Sequence, residues 1–99
     1  MAKVKTRAYD AANYIESPED AVLLLEAAFE DGDAAVIAEA IGAVARSKGM
    51  SQVAQDTGLS RESLYRALSA DGNPTLSTTL NVLNALGLRL SVSGRGPIA

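Results

Sequence analysis

One short segment, residues 60–69, concentrates side chains that can hydrogen-bond to nucleic acid. If this segment is helical, its leucines turn inward, and its outward positions are Ser60, Arg61, Glu62, Ser63, Tyr65 and Arg66. A solvated face more often carries Glu and Lys, whereas this one carries two Arg, two Ser and one Tyr. Arg can hold guanine O6 and N7 together, and Ser or Tyr can reach phosphates or base edges. The chemistry that this face predicts is DNA binding.

Arg61 is the main candidate for reading a base. It follows Ser60, which can cap the helix and also bind a phosphate, so Arg61 stands where the end of the helix would point into the groove. The alternative for Arg61 is a surface ion pair with Asp56 or Glu62. Glu62 itself can accept a hydrogen bond from cytosine N4 or simply orient Arg61.

Four further side chains have a predicted place at the DNA. Arg66 is predicted to contact phosphate. Tyr65 either lies along the phosphate backbone or covers Ala54 as part of the core. Ser51 and Gln52 open the preceding short helix, which borders the DNA backbone in motifs of this kind.

The segments 51–57 and 60–69 predict two short helices in tandem. Each is too short to be stable alone, so both must pack on each other and on longer neighbours. Gly58 supplies a left-handed turn residue without steric cost, and the small Ala54 lets the helices approach closely. The inward and turn positions of the pair are Val53, Ala54, Gly58, Leu59 and Leu64. This spacing is typical of a helix-turn-helix over residues 51–69, and the alternative is an ordinary helical hairpin.

Capping residues predict the remaining helices. Asp10 can cap a short helix over 11–15, Ser17 precedes a helix that starts at 18, and Asp33 can cap a helix over 34–48. A last helix is predicted over 76–86. The apolar positions predicted to face inward are Val22, Leu25, Ala28 and Phe29 in the second helix and Leu76, Leu80, Val82 and Leu83 in the last.

The end of the chain predicts a β-strand over residues 88–92, because Leu88, Leu90 and Val92 alternate with polar residues. A single strand is not stable in isolation, and the chain offers no second one. Pairing across a two-fold axis would give a homodimer, with two recognition helices about one turn of DNA apart and a palindromic operator. The alternative is a tail packed on the helices. Residues 1–9 are predicted to be a flexible arm, 10–93 a single domain and 94–99 a flexible tail.

The net charge of −3 conceals two halves of opposite sign. Residues 1–45 carry three cations against nine acids, and residues 46–99 carry six cations against three acids. The halves therefore have net charges of −6 and +3. This split indicates two surfaces with different partners, or it is chance in a small set of charges.

The sequence contains no Cys and no His, which excludes disulfides, Cys/His zinc sites, thiol nucleophiles and Ser–His catalysis. We predict no metal site, no cofactor and no enzymatic activity. No apolar run approaches the roughly 18 residues of a membrane span, and the N-terminus lacks the apolar stretch of a signal peptide. The lack of Cys fits a reducing cytoplasm, where we expect the protein to lie.

Residues 49–68 resemble the Cro/repressor-type helix-turn-helix. The fuller resemblance is to the family of probable addiction-module antidote proteins, which are antitoxins of the HigA-like kind. It also rests on Tyr9-Asp10-Ala11-Ala12, Ile15, Ser17-Pro18-Glu19-Asp20, residues 27–33, Gly72-Asn73-Pro74 and residues 83–90. The resemblance implies an all-α, five- to six-helix bundle of the lambda-repressor-like type, to which the predicted C-terminal strand is added.

The resemblance also implies a function. Such proteins are sequence-specific DNA-binding antitoxins of type II toxin–antitoxin modules. They are encoded beside a RelE/HigB-like ribonuclease toxin, neutralise it by direct binding and repress the shared promoter. A toxin that cleaves RNA is expected to be basic, so the acidic N-terminal half could meet it, or could be an ordinary solvated surface.

Position 50 departs from the resembled motif. Many Cro/repressor-type proteins have a polar Gln or Thr there, able to contact phosphate, whereas this chain has Met50, and Ser51 or Gln52 would have to substitute. Two other functions stay open: a stand-alone phage-type repressor without a toxin partner, and a protein-interaction module without DNA binding.

Overall fold

Residues 10–96, which the computed structural model describes, form α-helices joined by short turns and contain no β-strand. A 3-10 helix at Ala11–Tyr14 precedes α1 (Pro18–Asp31), α2 (Ala34–Lys48), α3 (Met50–Thr57), α4 (Arg61–Ala67) and α5 (Leu76–Ala85). The all-α prediction is therefore confirmed. The predicted arm, residues 1–9, and the last three residues of the predicted tail lie outside the described residues. No helix within 10–96 combines the length and the apolarity needed to cross a bilayer.

Side-chain caps fix the starts of most helices where the sequence predicts them. Ser17 Oγ accepts from the Asp20 N–H at 3.2 Å, and the Asp33 carboxylate accepts from the Ala35 N–H at 2.9 Å. Each bond satisfies a backbone donor that has no partner inside its helix. Helix α3 differs, because it begins at Met50, earlier than predicted, and has no side-chain cap.

Helix α2 lies at the centre of the molecule. The 3-10 helix, α1, α3 and α4 all pack against it. Its buried residues are Ala38, Ala40, Ile41, Gly42, Ala43, Val44 and Ala45. Most of these are small, so neighbouring helices approach its backbone closely. The closest approach is at Gly42, where a Cβ atom would collide with the carbonyl oxygen of Leu68 at the end of α4.

The largest fully buried side chains come from four different helices. They are Ile41 of α2, Val53 of α3, Leu64 of α4 and Val82 of α5. Burying an aliphatic side chain of this size contributes about 1.5–3 kcal/mol. The short helices α3 and α4 are therefore held by the shared core rather than by their own helical stability.

Four predicted core positions are wrong. Val22 and Phe29 on α1 and Leu76 and Leu80 on α5 are exposed, Leu76 to 68%. Helical periodicity identifies an apolar stripe, but the buried part of that stripe is only as wide as the element packed on it. In α1 that part comprises Ala21, Leu25 and Ala28, and in α5 it comprises Val82 and Leu83.

The strand predicted over residues 88–92 is not seen in the single chain, since residues 10–96 contain no strand. A strand needs a partner for its backbone groups, and the described chain offers none. The Leu88 N–H instead donates to the Leu83 carbonyl at 2.9 Å, which closes the end of α5. Leu88 is half-buried against the core, whereas Leu90 is exposed and Val92 is fully exposed.

An ion pair ties the start of the described chain to the end of α2. Arg46 Nη2 donates to the Asp10 carboxylate at 2.7 Å. This hydrogen bond, with a second one from the Ala12 N–H, holds the pKa of Asp10 below its usual range. The same carboxylate thus caps the 3-10 helix and anchors it to α2.

We expect Gly42→Ala to destabilise the protein, because the added methyl group would meet backbone rather than a flexible side chain. Alanine gains about 0.5–1 kcal/mol over glycine within a helix, but overpacking costs about 1–3 kcal/mol. We expect overpacking to dominate, so that Gly42→Ala lowers the free energy of unfolding measured by urea titration. Gly94→Ala is the control, because nothing lies closer than 3.8 Å to the added atom. Equal stability of Gly42→Ala and wild type would contradict the close packing of α2 on α4.

Candidate nucleic-acid interface

Helices α3 and α4 meet at a tight turn around Gly58. Gly58 has φ 77°, in the left-handed region, and its N–H donates to the Ala54 carbonyl at 2.9 Å. Leu59 follows, half-buried against the core, and Ser60 then caps α4. The chain thus leaves one short helix and enters the next within three residues. Gly58 makes this turn possible, because only Gly adopts this φ without strain.

Polar contacts from two directions brace this turn. Thr57 Oγ1 donates to the Val53 carbonyl at 2.8 Å and accepts from the Leu59 N–H at 3.3 Å. From α5, Asn81 Nδ2 donates to the Thr57 carbonyl at 3.1 Å. Asn81 could not be predicted as part of this turn, since nothing in the local sequence shows that α5 crosses next to it.

The inner sides of α3 and α4 join the core. Val53 and Leu64 are fully buried, and Ala54 is half-buried between the helices. Met50 is also buried, so its side chain belongs to the core and no polar side chain stands at this position. Any phosphate contact at the start of α3 therefore falls to its exposed neighbours, Ser51 and Gln52.

The outer side of α4 is polar and open to solvent. Its exposed residues, with the cap, are Ser60, Arg61, Glu62, Tyr65 and Arg66, while Ser63 is half-buried. Ser60 Oγ accepts from the Ser63 N–H at 3.0 Å and donates to Ser63 Oγ at 2.8 Å. These two serines are thus engaged in capping, which leaves the longer side chains as the most accessible polar groups of α4.

Arg61 has no ion-pair partner within residues 10–96, so the alternative pair with Asp56 or Glu62 is not formed. Asp56 instead accepts from Gln52 Nε2 at 2.9 Å on the surface of α3. The guanidinium of Arg61 lies 6.0 Å from the centre of the Tyr65 ring, at the limit of a cation–π contact. Its charge therefore remains uncompensated and its five N–H donors remain available.

Tyr65 is 46% exposed and lines a shallow hollow between α4 and α2. Arg46 and Met50 line the same hollow. The hollow therefore brings Arg46 of α2, which is paired with Asp10, next to the surface of α4, together with the acidic Glu39. This proximity could not be predicted from the sequence, because Arg46 lies far from α4 in the chain.

Comparison with known proteins assigns the chain to a family. Residues 5–94 match the family described as "Probable addiction module antidote protein". The chain belongs to this family. A Haemophilus influenzae protein, described only as uncharacterized, is 42% identical over 84 residues, which cover 85% of this chain and 87% of the relative. No solved structure matches the chain significantly. An antidote implies a toxin as its partner, and the family match contains every helix from α1 to α5.

We expect Gly58→Val to destabilise this antidote, because a β-branched residue is strained at positive φ. Strain of this kind costs about 1–3 kcal/mol. Gly58→Asn is the matched control, since Asn tolerates the left-handed region best among the polar residues. Thermal melting should give the highest melting temperature for wild type, a lower one for Gly58→Asn and the lowest for Gly58→Val. A Val variant that melts with wild type would rule out the left-handed turn.

Proposed function

We propose that the chain is a DNA-binding antitoxin, which neutralises a RelE/HigB-like toxin by direct binding and represses its own operon through α3 and α4 as a Cro/repressor-type helix-turn-helix. The observation that carries the proposal is the exposed and uncompensated Arg61 on a short helix supported from beneath by Leu64. Family membership supports the antidote role. The DNA-binding role rests on the chemistry of the α4 surface.

The dimensions of α4 suit the major groove. That groove is about 12 Å wide and admits one α-helix, and the outer side of α4 carries no large aliphatic residue that would need to be covered. Arg61 would hold a guanine through O6 and N7, while the Tyr65 ring beneath its guanidinium limits its rotation. Glu62, next to it, would accept from cytosine N4.

Residues around α4 would hold the DNA backbone. Ser51 and Gln52 are exposed at the start of α3, and Arg66 is exposed near the end of α4. Contacts of this kind fix the position of the protein on the duplex and carry little sequence information. The acidic total charge does not oppose this arrangement, because charges farther away than about 8 Å are largely screened at physiological salt.

A homodimer through residues 88–92 completes the proposal. Val92 is fully exposed and Leu90 partly so, although both are apolar. Beyond Leu88, no backbone group up to residue 96 donates or accepts a hydrogen bond within the described chain. A second copy related by a two-fold axis would supply the missing partner strand and place two α4 helices on a palindromic operator.

We expect Arg61→Ala to weaken specific DNA binding by about 10- to 100-fold, equivalent to roughly 1–3 kcal/mol, and to relax the preference for one base pair. The measurement is fluorescence anisotropy with DNA from upstream of the protein's own reading frame and with scrambled DNA of equal length. Arg95→Ala, which removes the same charge from an exposed position near the chain end, is the control and should bind like wild type.

Two outcomes would contradict the DNA-binding role. An Arg61→Ala variant that retains the affinity and base preference of wild type would remove Arg61 from the interface. A wild-type protein that binds upstream and scrambled DNA equally weakly would indicate a protein-interaction module without specific DNA binding.

We expect Val92→Lys to raise the dissociation constant of the dimer at least tenfold, because it replaces a buried apolar contact in both copies by a charge. Sedimentation equilibrium over a concentration series measures this constant. Leu76→Lys makes the same kind of change at an exposed position of α5 and should leave the constant unchanged. A wild-type protein that sediments as a monomer throughout would refute the dimer.

A further inference from the structure

The outer face of α1 combines exposed apolar side chains with carboxylates. Helical spacing aligns four exposed residues along it: Glu19, Leu23, Glu26 and Glu30. Leu23 is 64% exposed, and Val22 and Phe29 beside it are each more than a third exposed. These six residues form the α1 outer face. A large apolar side chain left in water at the centre of an acidic helix face has no role in the core of the chain.

The carboxylates of the α1 outer face have no structural partner. Helix α1 contains five acids and no Lys or Arg. Asp20 accepts from the Glu16 N–H at 2.9 Å, but Glu19, Glu26 and Glu30 make no hydrogen bond or ion pair within residues 10–96. Like charges four residues apart, such as the last two, destabilise a helix. Helix stability therefore explains Glu19, which lies in the first turn where the helix dipole favours an acid, but it does not explain Glu26 and Glu30.

An open trough runs along the α1 outer face, between α1 and residues 91–95. On the α1 side, its lining is apolar at Leu23, Ala27 and Phe29 and acidic at Glu26 and Glu30. The opposite side, residues 91–95, contributes the apolar Val92 and one cation, Arg95. Protein interfaces of high affinity commonly have an apolar anchor surrounded by polar groups that exclude water. The trough presents both parts to a partner.

Charge excludes most partners of this face. A second copy that placed its own α1 against this face would bring five acids against five, which is repulsive, so the dimer proposed through residues 88–92 must leave the α1 outer face open. DNA and anionic lipid are negatively charged and are repelled in the same way. A cationic protein is the partner that complements the face. A protein that cleaves RNA must bind phosphates and therefore carries such a cationic surface.

We propose that the α1 outer face is the docking surface for the toxin. This inference rests on the proposed antitoxin function and deepens it, because it assigns the toxin to a face other than the DNA-binding surface. An apolar side chain of the toxin covers Leu23, and toxin cations lie against Glu26 and Glu30. Binding therefore has an apolar part that resists salt and an electrostatic part that salt weakens.

The test measures association and dissociation rates by surface plasmon resonance, with the protein encoded by the adjacent short reading frame immobilised. Glu26→Lys combined with Glu30→Lys should weaken binding at least tenfold, mainly through a slower association, and should flatten its dependence on ionic strength. Leu23→Ala should weaken binding at least tenfold through faster dissociation.

Each variant has a matched control. Glu39→Lys combined with Asp71→Lys changes the net charge equally at exposed positions outside α1. Leu76→Ala truncates a leucine that is 68% exposed, close to the 64% of Leu23, on a different helix. Both controls should bind within twofold of wild type. Binding to upstream DNA should be retained by the Leu23→Ala variant, which checks that it is folded.

The outcomes separate this inference from the proposed function. Weak binding of both α1 variants, with intact controls, supports the docking surface. If wild type and the α1 variants bind the neighbouring protein equally, the docking surface is refuted and the antitoxin function stands. If wild type does not bind that protein, both are refuted. If the α1 variants instead lose self-association, the face belongs to a second copy and the inference is wrong.

Discussion

The close packing of α2 against its neighbours is the constraint on which the rest of the structure depends. Its buried face is built mostly of Ala and Gly, so α1, α3 and α4 approach its backbone. The contact of Gly42 with Leu68 fixes the end of α4, and the buried Leu64 fixes its middle. A seven-residue helix is not stable alone, so the position of Arg61 at the surface is set by the packing of α4 on α2 and α3 rather than by α4 itself.

Features that depend on neighbouring residues could be predicted from the sequence. The caps at Ser17, Asp33 and Ser60 each need one side chain and one backbone N–H a few residues away, and the left-handed turn needs only Gly58. Features that depend on distant partners could not be predicted. Residues 88–92 have the pattern of a strand but no second strand, and Val22 has the spacing of a core residue but no element large enough to cover it.

The same distinction applies to the proposed DNA-binding surface. Its residue types and their exposure follow from helical periodicity, because α4 packs one side on the core and leaves the other open. Two other features arise from the packing of separate helices: the hydrogen bond from Asn81 to the turn and the proximity of Arg46 to α4. A third, the contact between Arg61 and Tyr65, depends on the rotamers of two side chains on the same helix. Spacing along the chain contains no information on the contacts between helices, whereas the contact between Arg61 and Tyr65 is indicated by the identity of the two residues.

The separation of charge now has a structural basis. The acids of α1 and the cations of α4 lie on different helices, and both helices pack on α2. No charged residue within 10–96 is fully buried, so the sign of the charges at each face decides which polyanion or polycation can approach. An acidic α1 repels phosphate as strongly as it attracts a basic protein. Under the proposed function, DNA therefore meets α4 and a basic protein meets α1, so the two proposed partners use different surfaces.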